Sequence, residues 1–260
     1  MPSVQPFFIV GCPRSGTTML RDILRLHPNL ACPEETHFYR QCWPFGSNEY
    51  WNFFKKSPTF LKHRQMDRIS EKKFDRIYLA ASSRREFVTR YMKVFVKTNK
   101  PDARRWFDKS PQNIYGLALI AQDFPRAKFI HIVRNPVDVV SSLKEGKQMK
   151  ATVLAACNYL TEAAKIIAGL QPALGDRLFE IRYEDFCAEP QDALRRIFEF
   201  LREPVILLDG LPVREKSYAA NPVLTPEEIS QVQDLCGKRA RHYHYVLEPA
   251  AAADPSQLLT

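Results

Sequence analysis

The sequence predicts an α/β protein with a mostly parallel, P-loop-like β-sheet that is flanked by helices. Three observations support this fold class. Short apolar segments alternate with amphipathic ones, turn residues directly follow the apolar segments, and no apolar run approaches a membrane span of roughly 20 residues. Strands of parallel sheets are typically short apolar runs, because helices cover both of their faces.

The first predicted unit is a strand, a turn and a helix. Residues Pro6–Val10 are apolar, partly β-branched and end at Gly11, which indicates a buried strand. The segment TTMLRDILRLHP has apolar residues at helical spacing and stops at Pro28, which indicates a helix.

Further units repeat this arrangement along the chain. The predicted strands are Trp106–Asp108, Lys128–Val133 and Leu178–Arg182, and the helices that follow them are Ile114–Phe124, Val137–Leu143 and the segment ALRRIFEFL. This alternation indicates a parallel sheet, which binds ligands at the carboxyl ends of its strands.

Residues 45–100 have a different composition, rich in Phe, Lys and Arg. We expect a helical insertion there, with helices at Glu49–Lys56 and Glu71–Phe95, on the side where an acceptor substrate would bind. Four aromatic residues of this region fit either an acceptor groove or a hydrophobic core: Trp43, Trp51, Phe53 and Phe54.

The overall composition limits the functional classes only broadly. A net charge of +9 favours anionic partners, such as nucleotides, nucleic acid, a membrane surface or a sulfated polymer, and does not choose among them. The N-terminus has no basic segment typical of a secretory signal, so we expect a cytoplasmic protein. Residues 1–247 are predicted to form a single domain, and residues 248–260 a disordered tail.

The six cysteines include no C-x-x-C pair. They therefore predict free thiols, and they indicate neither a zinc ribbon nor a thioredoxin-like site. No bound metal and no membrane span are expected.

The turn after the first strand, GCPRSGTT, matches the phosphate-binding pattern G-x-x-x-x-G-K-[ST] except at one position. Thr17 replaces the lysine that reaches the terminal phosphates of a nucleoside triphosphate. Arg14 instead places a positive charge inside the loop. An ordinary strand–helix turn without a ligand is the alternative interpretation.

A second candidate anion site follows the strand Lys128–Val133. Arg134 lies at the strand end, and Ser142 lies two helical turns further along, so both can converge on one phosphate. Pairing of Arg134 with a nearby acid such as Asp138 is the alternative.

Together these segments resemble the sulfotransferases that depend on 3′-phosphoadenosine 5′-phosphosulfate (PAPS). PRSGTT resembles their 5′-phosphosulfate loop, and VRNPVDVVSS resembles their 3′-phosphate motif. The likeness to the protein-tyrosine and carbohydrate branches extends through HPNLACPEETHF, WFDKSP and EIRYEDFCAEP, and it leaves the helical insertion unmatched.

The resemblance implies a role for each matching residue, without a metal. Arg14, Ser15, Gly16, Thr17 and Thr18 would hold the 5′-phosphosulfate, Arg134 and Ser142 the 3′-phosphate, and Tyr183 would lie near the nucleotide. Glu35 would be the catalytic base, while Lys109 and Arg14 would stabilise the charge that develops on the sulfuryl and leaving oxygens. Lys216 and Ser217 are loose candidates for the segment that closes the nucleotide site.

Two histidines compete with Glu35 for the role of base. His37 lies two residues away and could face the same cleft, while His27 is expected to cap the end of the first helix. The tyrosine sulfotransferases carry an arginine where this chain has His37, which puts tyrosine as an acceptor in doubt.

Two other functional classes stay open. One is a P-loop-type nucleotide kinase with an altered loop, against which Thr17 argues. The other is a basic, non-catalytic module that binds glycan or nucleic acid, although no recognised nucleic-acid motif is present. The sequence does not indicate the hydroxyl acceptor or the oligomeric state.

Overall fold

The computed structural model describes residues 4–146, 149–213, 216–218 and 223–247. The strands are β1 (Phe7–Val10), β2 (Leu30–Ala31), β3 (Arg105–Lys109), β4 (Lys128–Val133) and β5 (Leu178–Arg182). They form a parallel sheet in the order β2-β3-β1-β4-β5. The predicted α/β fold is therefore confirmed. The predicted tail lies outside the described residues, and the single domain stays a prediction.

The helices cover both faces of the sheet. They are α1 (Thr17–Leu24), α2 (Asn48–Lys56), α3 (Pro58–Met66), α4 (Glu71–Leu79), α5 (Arg84–Asn99), α6 (Leu117–Asp123), α7 (Pro136–Lys144), α8 (Val153–Leu174), α9 (Tyr183–Ala188), α10 (Pro190–Leu201) and α11 (Pro226–His242), with 3₁₀ helices at Pro111–Gly116 and Gly175–Arg177. Helices α3, α8, α9 and α11 and strand β2 are additions to the sequence prediction.

The predicted helical segment Glu71–Phe95 consists of two helices, α4 and α5, with a break between them. The Ser83 hydroxyl accepts a hydrogen bond from the Glu86 amide at 3.2 Å and caps the start of α5. The Glu86 carboxylate in turn accepts hydrogen bonds from the Ser82 amide and hydroxyl, both at 2.8 Å. These contacts stabilise a new helix start.

Helix α8 begins a stretch, Val153–Arg177, that is long and apolar enough to cross a membrane by length and composition, with a mean hydropathy of 1.3. A core helix of a soluble protein meets the same test. Buried residues of α8 such as Ala156 pack with Val140 of α7 and Val232 of α11. The absence of a membrane span stays a prediction.

The alternation of side chains along β1 builds two cores. Phe7 and Ile9 pack with α1, α9 and α10 on one face, while Phe8 and Val10 pack with the helical insertion and α6 on the other. Strand β1 lies between β3 and β4, so the carboxyl ends of these three strands meet at one edge. That edge carries the candidate site.

Candidate functional site

The turn between β1 and α1 forms one side of a large cleft. Gly11 (φ 149°), Arg14 (φ 70°) and Gly16 (φ 91°) all have positive φ angles. A side chain at Gly11 would lie 2.8 Å from the Ile132 carbonyl, and one at Gly16 would clash with the Tyr183 ring. Glycine is therefore required at both turns.

The N-terminus of α1 is open to an anion. No side chain caps this helix, and no acidic residue lies in its first turn. The N–H groups there have no partner within the helix, and the helix dipole adds partial positive charge. Arg14, Gly16, Thr17 and Thr18 line the cleft. The Ser15 side chain is buried and instead lines a separate cavity of about 40 Å³.

A second basic part of the cleft, the corner around Arg134, lies at the end of β4. The Arg134 guanidinium donates a hydrogen bond to the Arg14 carbonyl at 3.0 Å and another to the Lys216 carbonyl. It also lies 4.6 Å from the centre of the Tyr183 ring and 3.7 Å from the Asp138 carboxylate. Arg134 thus pairs with Asp138 and also lines the cleft, so the two sequence interpretations of this residue are compatible.

The two predicted anion sites touch each other. Arg14 Nε donates a hydrogen bond to Ser142 Oγ at 2.9 Å, which joins the β1 loop to α7. Arg14, Arg134, Ser142 and Tyr183 line the same cleft, which has a volume of about 1490 Å³. Sequence motifs that are 128 residues apart therefore meet at one place.

Residues 216–218 close one side of this corner. The Lys216 amide donates a hydrogen bond to the Tyr183 hydroxyl at 3.2 Å, and Lys216 lines the cleft. Ser217 hydrogen-bonds the Asp138 carboxylate, which also accepts from the Tyr218 amide at 2.8 Å. Asp138 therefore anchors the segment that includes Ser217.

Lys109 and Glu35 form an ion pair at the centre of the cleft. The Lys109 side chain is buried at the end of β3 and donates hydrogen bonds to Glu35 and, at 3.0 Å, to Thr18 Oγ1. Burial opposes ionisation of Glu35, but the hydrogen bond from His37 and the charge of Lys109 outweigh it and lower the pKa of Glu35 to about 2. The carboxylate is thus ionised at neutral pH.

His37 lies beside this pair, as predicted for a competing base. Its Nε2 is 3.2 Å from Glu35 Oε2, and its Nδ1 has no hydrogen-bond partner among the described residues. Burial lowers the pKa of His37 despite the neighbouring Glu35. The neutral ring can donate to Glu35 through Nε2, and the choice between Glu35 and His37 as the base stays a prediction.

His27 occupies a different place from the predicted one. Helix α1 ends at Leu24, with Arg25 as its capping residue, so the expected cap at His27 is wrong. The His27 ring is buried, 3.1 Å from the Pro204 carbonyl and packed on Phe198. These contacts account for its conformation.

Residues of the insertion, together with Arg40 before it, line another wall of the cleft. Of the four aromatic residues that the sequence offered for this role, only Phe53 lines the cleft. Phe53 lines the cleft, together with Phe60, Met66, Arg40 and Lys62. Phe54 is buried in the core, and Trp51 packs against Phe74 and Tyr78. Trp43 packs edge-on against Phe53.

Cysteines and metal ligands add no further site. The six cysteines are free thiols, as predicted. Within the part of the chain that the structure describes, no group of three or more His, Cys, Asp or Glu side chains is arranged to hold a metal ion. The expectation of a metal-free reaction stays a prediction.

Comparison with known proteins identifies the family. A family model described as "Sulfotransferase family" matches residues 6–206, which is most of the chain. The chain belongs to the sulfotransferase family. The match includes the β1 loop, Glu35, Lys109, Arg134, Ser142 and Tyr183.

Two individual sulfotransferases have a low sequence identity to this chain. Protein-tyrosine sulfotransferase A of Caenorhabditis elegans is 27% identical over 210 residues, covering 76% of this chain and 50% of that protein. Protein-tyrosine sulfotransferase 1 of Danio rerio is 27% identical over 208 residues, covering 76% and 53%. The chain thus spans about half the length of these relatives.

A solved sulfotransferase domain has the same fold. The domain from the Synechococcus PCC 7002 olefin synthase superimposes with a TM-score of 0.69 at 23% identity, covering 95% of this chain and 98% of that one. This likeness confirms the sulfotransferase fold.

Proposed function

We propose that the protein transfers the sulfuryl group of PAPS to a hydroxyl acceptor. The observation that carries this proposal is the contact between the two anion-binding motifs, where Arg14 Nε donates to Ser142 Oγ at 2.9 Å. One nucleotide can bridge them within the same cleft, beside Lys109 and Glu35. Membership of the sulfotransferase family supports this function.

The donor would bind by its two anionic ends. The amides of the α1 N-terminus and the Arg14 side chain suit a 5′-phosphosulfate, with Thr17 and Thr18 beside them. Arg134 and Ser142 suit the 3′-phosphate, near Tyr183. Lys216 is the candidate to close this corner, whereas Ser217 acts through Asp138.

The reaction requires an in-line transfer between two oxygens. The acceptor oxygen forms a bond to sulfur as the bond to the bridging oxygen of the donor breaks, and negative charge grows on the departing phosphate. Lys109 stabilises that charge, while Glu35 takes the proton of the acceptor hydroxyl. Both roles require the Lys109–Glu35 pair to separate when the donor binds.

Binding of 3′-phosphoadenosine 5′-phosphate (PAP), measured by calorimetry, tests the donor site. Arg14→Ala and Arg134→Ala should each weaken PAP about 10- to 100-fold, because each removes a charge-assisted hydrogen bond of about 1.5–3 kcal/mol. The exposed Arg85, on α5, gives the control Arg85→Ala, which should bind like wild type. Equal affinity in all four proteins would refute the proposed site.

Turnover tests the base and separates the alternatives. Glu35→Gln should bind PAP normally and lose about 10²–10⁴-fold in turnover with PAPS and an acceptor found by screening with labelled donor. Magnesium-dependent consumption of ATP instead would favour a kinase. Salt-sensitive polymer binding that PAP does not compete with would favour the non-catalytic module.

A further inference from the structure

One wall of the cleft is formed by residues between His37 and Met66 and combines apolar, polar and basic side chains. Phe53, Phe60 and Met66 provide the apolar surface, while Arg40 and Lys62 provide the positive charge. The same cleft holds Glu35, Lys109 and the proposed phosphate-binding residues. This wall is therefore where the acceptor would bind.

A row of packed rings connects the reactive centre to Arg40. The His37 ring contacts Glu35, and its centre lies 5.1 Å from that of Phe60. The Phe60 and Phe53 ring centres are 5.0 Å apart, and the Arg40 guanidinium lies 5.8 Å from the Phe53 ring. Glu35 and Arg40 thus lie at the two ends of one row of ring contacts.

Arg40 is not neutralised by the acids of the cleft. Glu34 is held by Arg21 at 2.8 Å and by Arg25 at 3.1 Å, and Glu35 is held by Lys109. Among the described residues, Arg40 makes its cation–π contact with Phe53 and has no carboxylate within 4.0 Å. A half-buried guanidinium is left available to an anion from outside the chain.

We propose that the acceptor is an aryl or alkyl alcohol that carries an anionic group, a carboxylate, phosphate or sulfate, which pairs with Arg40. This inference rests on the proposed function and names the substrate class of the same site. The apolar side chains of this wall suit the aryl or alkyl part of such an acceptor, and the Arg40 guanidinium suits its anionic group.

Matched pairs of acceptors test the inference. The first pair is 3-(4-hydroxyphenyl)propionate and its amide, and the second is 12-hydroxydodecanoate and its amide. Wild type should prefer the anionic member of at least one pair by about 10- to 100-fold in kcat/KM, the size of one charge-assisted hydrogen bond. Arg40→Gln should abolish this preference by slowing turnover of the anionic member, and Arg40→Lys should restore part of it.

The control is Arg85→Gln, which removes the same charge from the exposed surface of α5 and should keep the preference. Equal rates for both members of each pair, or no turnover of either pair by a protein that binds PAP, would overturn the inference and leave the donor site intact. So would an equal loss for acid and amide in Arg40→Gln. Failure to bind PAP would instead refute the proposed function, and this inference with it.

Discussion

The Asp108 carboxylate accepts a hydrogen bond from the Thr36 hydroxyl at 2.6 Å, which ties the end of β3 to the segment that carries Glu35. It also accepts from Ser110 at 2.9 Å and from Asn113 at 3.0 Å. Ser110 Oγ in turn accepts from the His37 amide at 3.1 Å. Asp108 therefore positions Glu35 and His37 relative to Lys109, its neighbour on the strand.

Replacement of Asp108 by asparagine should destabilise the protein by about 1–3 kcal/mol, because the new amide donors would face the donors of Thr36 and Asn113. Urea unfolding measures this loss. Turnover should fall more than PAP affinity, since the reactive centre moves while the phosphate corners stay in place. Asp102→Asn, at an exposed site, is the control and should change neither quantity. An unchanged unfolding midpoint in Asp108→Asn would contradict the positioning role.

The stabilising effect of the Glu35 charge should depend on pH. The folded-state pKa of about 2 lies below the ordinary value of 4.5, because His37 and Lys109 outweigh the opposing effect of burial. This contribution is complete above pH 4.5 and is lost as the pH falls towards 2. Glu35→Gln should cost about 2–3 kcal/mol at pH 7 and progressively less as the pH falls from 4.5 towards 2, where the folded wild-type carboxyl begins to take up its proton. A difference in unfolding free energy that is constant with pH would contradict the pairing.

Removal of the Lys109 charge should raise the pKa of Glu35. In Lys109→Met, burial of the carboxyl would have only His37 to oppose it, so the pKa should rise by more than one unit. Carbon-13 NMR titration of glutamate side chains measures the shift. Lys62→Met changes an exposed lysine of the same cleft and should leave the Glu35 titration in place. Equal shifts in both variants would indicate a general field effect rather than the direct contact.

Gly16→Ala should weaken PAP binding by more than tenfold. The added methyl group would displace the Tyr183 ring, which packs against Arg134. Gly46→Ala provides the control, because Gly46 has a similar positive φ of 87° but open space around it. The Gly46→Ala variant should bind PAP normally, and its unfolding free energy should fall by about 1 kcal/mol, because alanine is strained at a positive φ. Normal PAP binding in Gly16→Ala would show that the Tyr183 ring can shift without loss.

The sequence predicted the parts of the site that depend on local chain geometry. The glycine turn after β1 and Arg134 at the end of β4 belong to strand–turn–helix units, whose strands are recognisable as short apolar runs. Adjacent parallel strands necessarily place such turns at one edge of the sheet. Their convergence could therefore be expected before their contacts were known.

The features that the sequence left open depend on tertiary contacts or on caps that were overlooked. The burial of His27 requires the Pro204 carbonyl, and the bonds to Asp108 join segments that are up to 72 residues apart. No local pattern encodes such pairs. By contrast, the start of α11 had a readable signal, since Thr225 and Glu228 form a capping box. The Ser83 cap that begins α5 was a signal of the same kind.

The contact of the Lys109 ammonium with Glu35 would impose an order of events on the proposed reaction. An alcohol that enters first meets a carboxylate whose basicity is suppressed by its cationic neighbour. In the proposed mechanism, a phosphosulfate oxygen would attract that cation, and the carboxylate would then regain its affinity for a proton. The ion pair would thus delay deprotonation of the acceptor until the sulfuryl donor is bound.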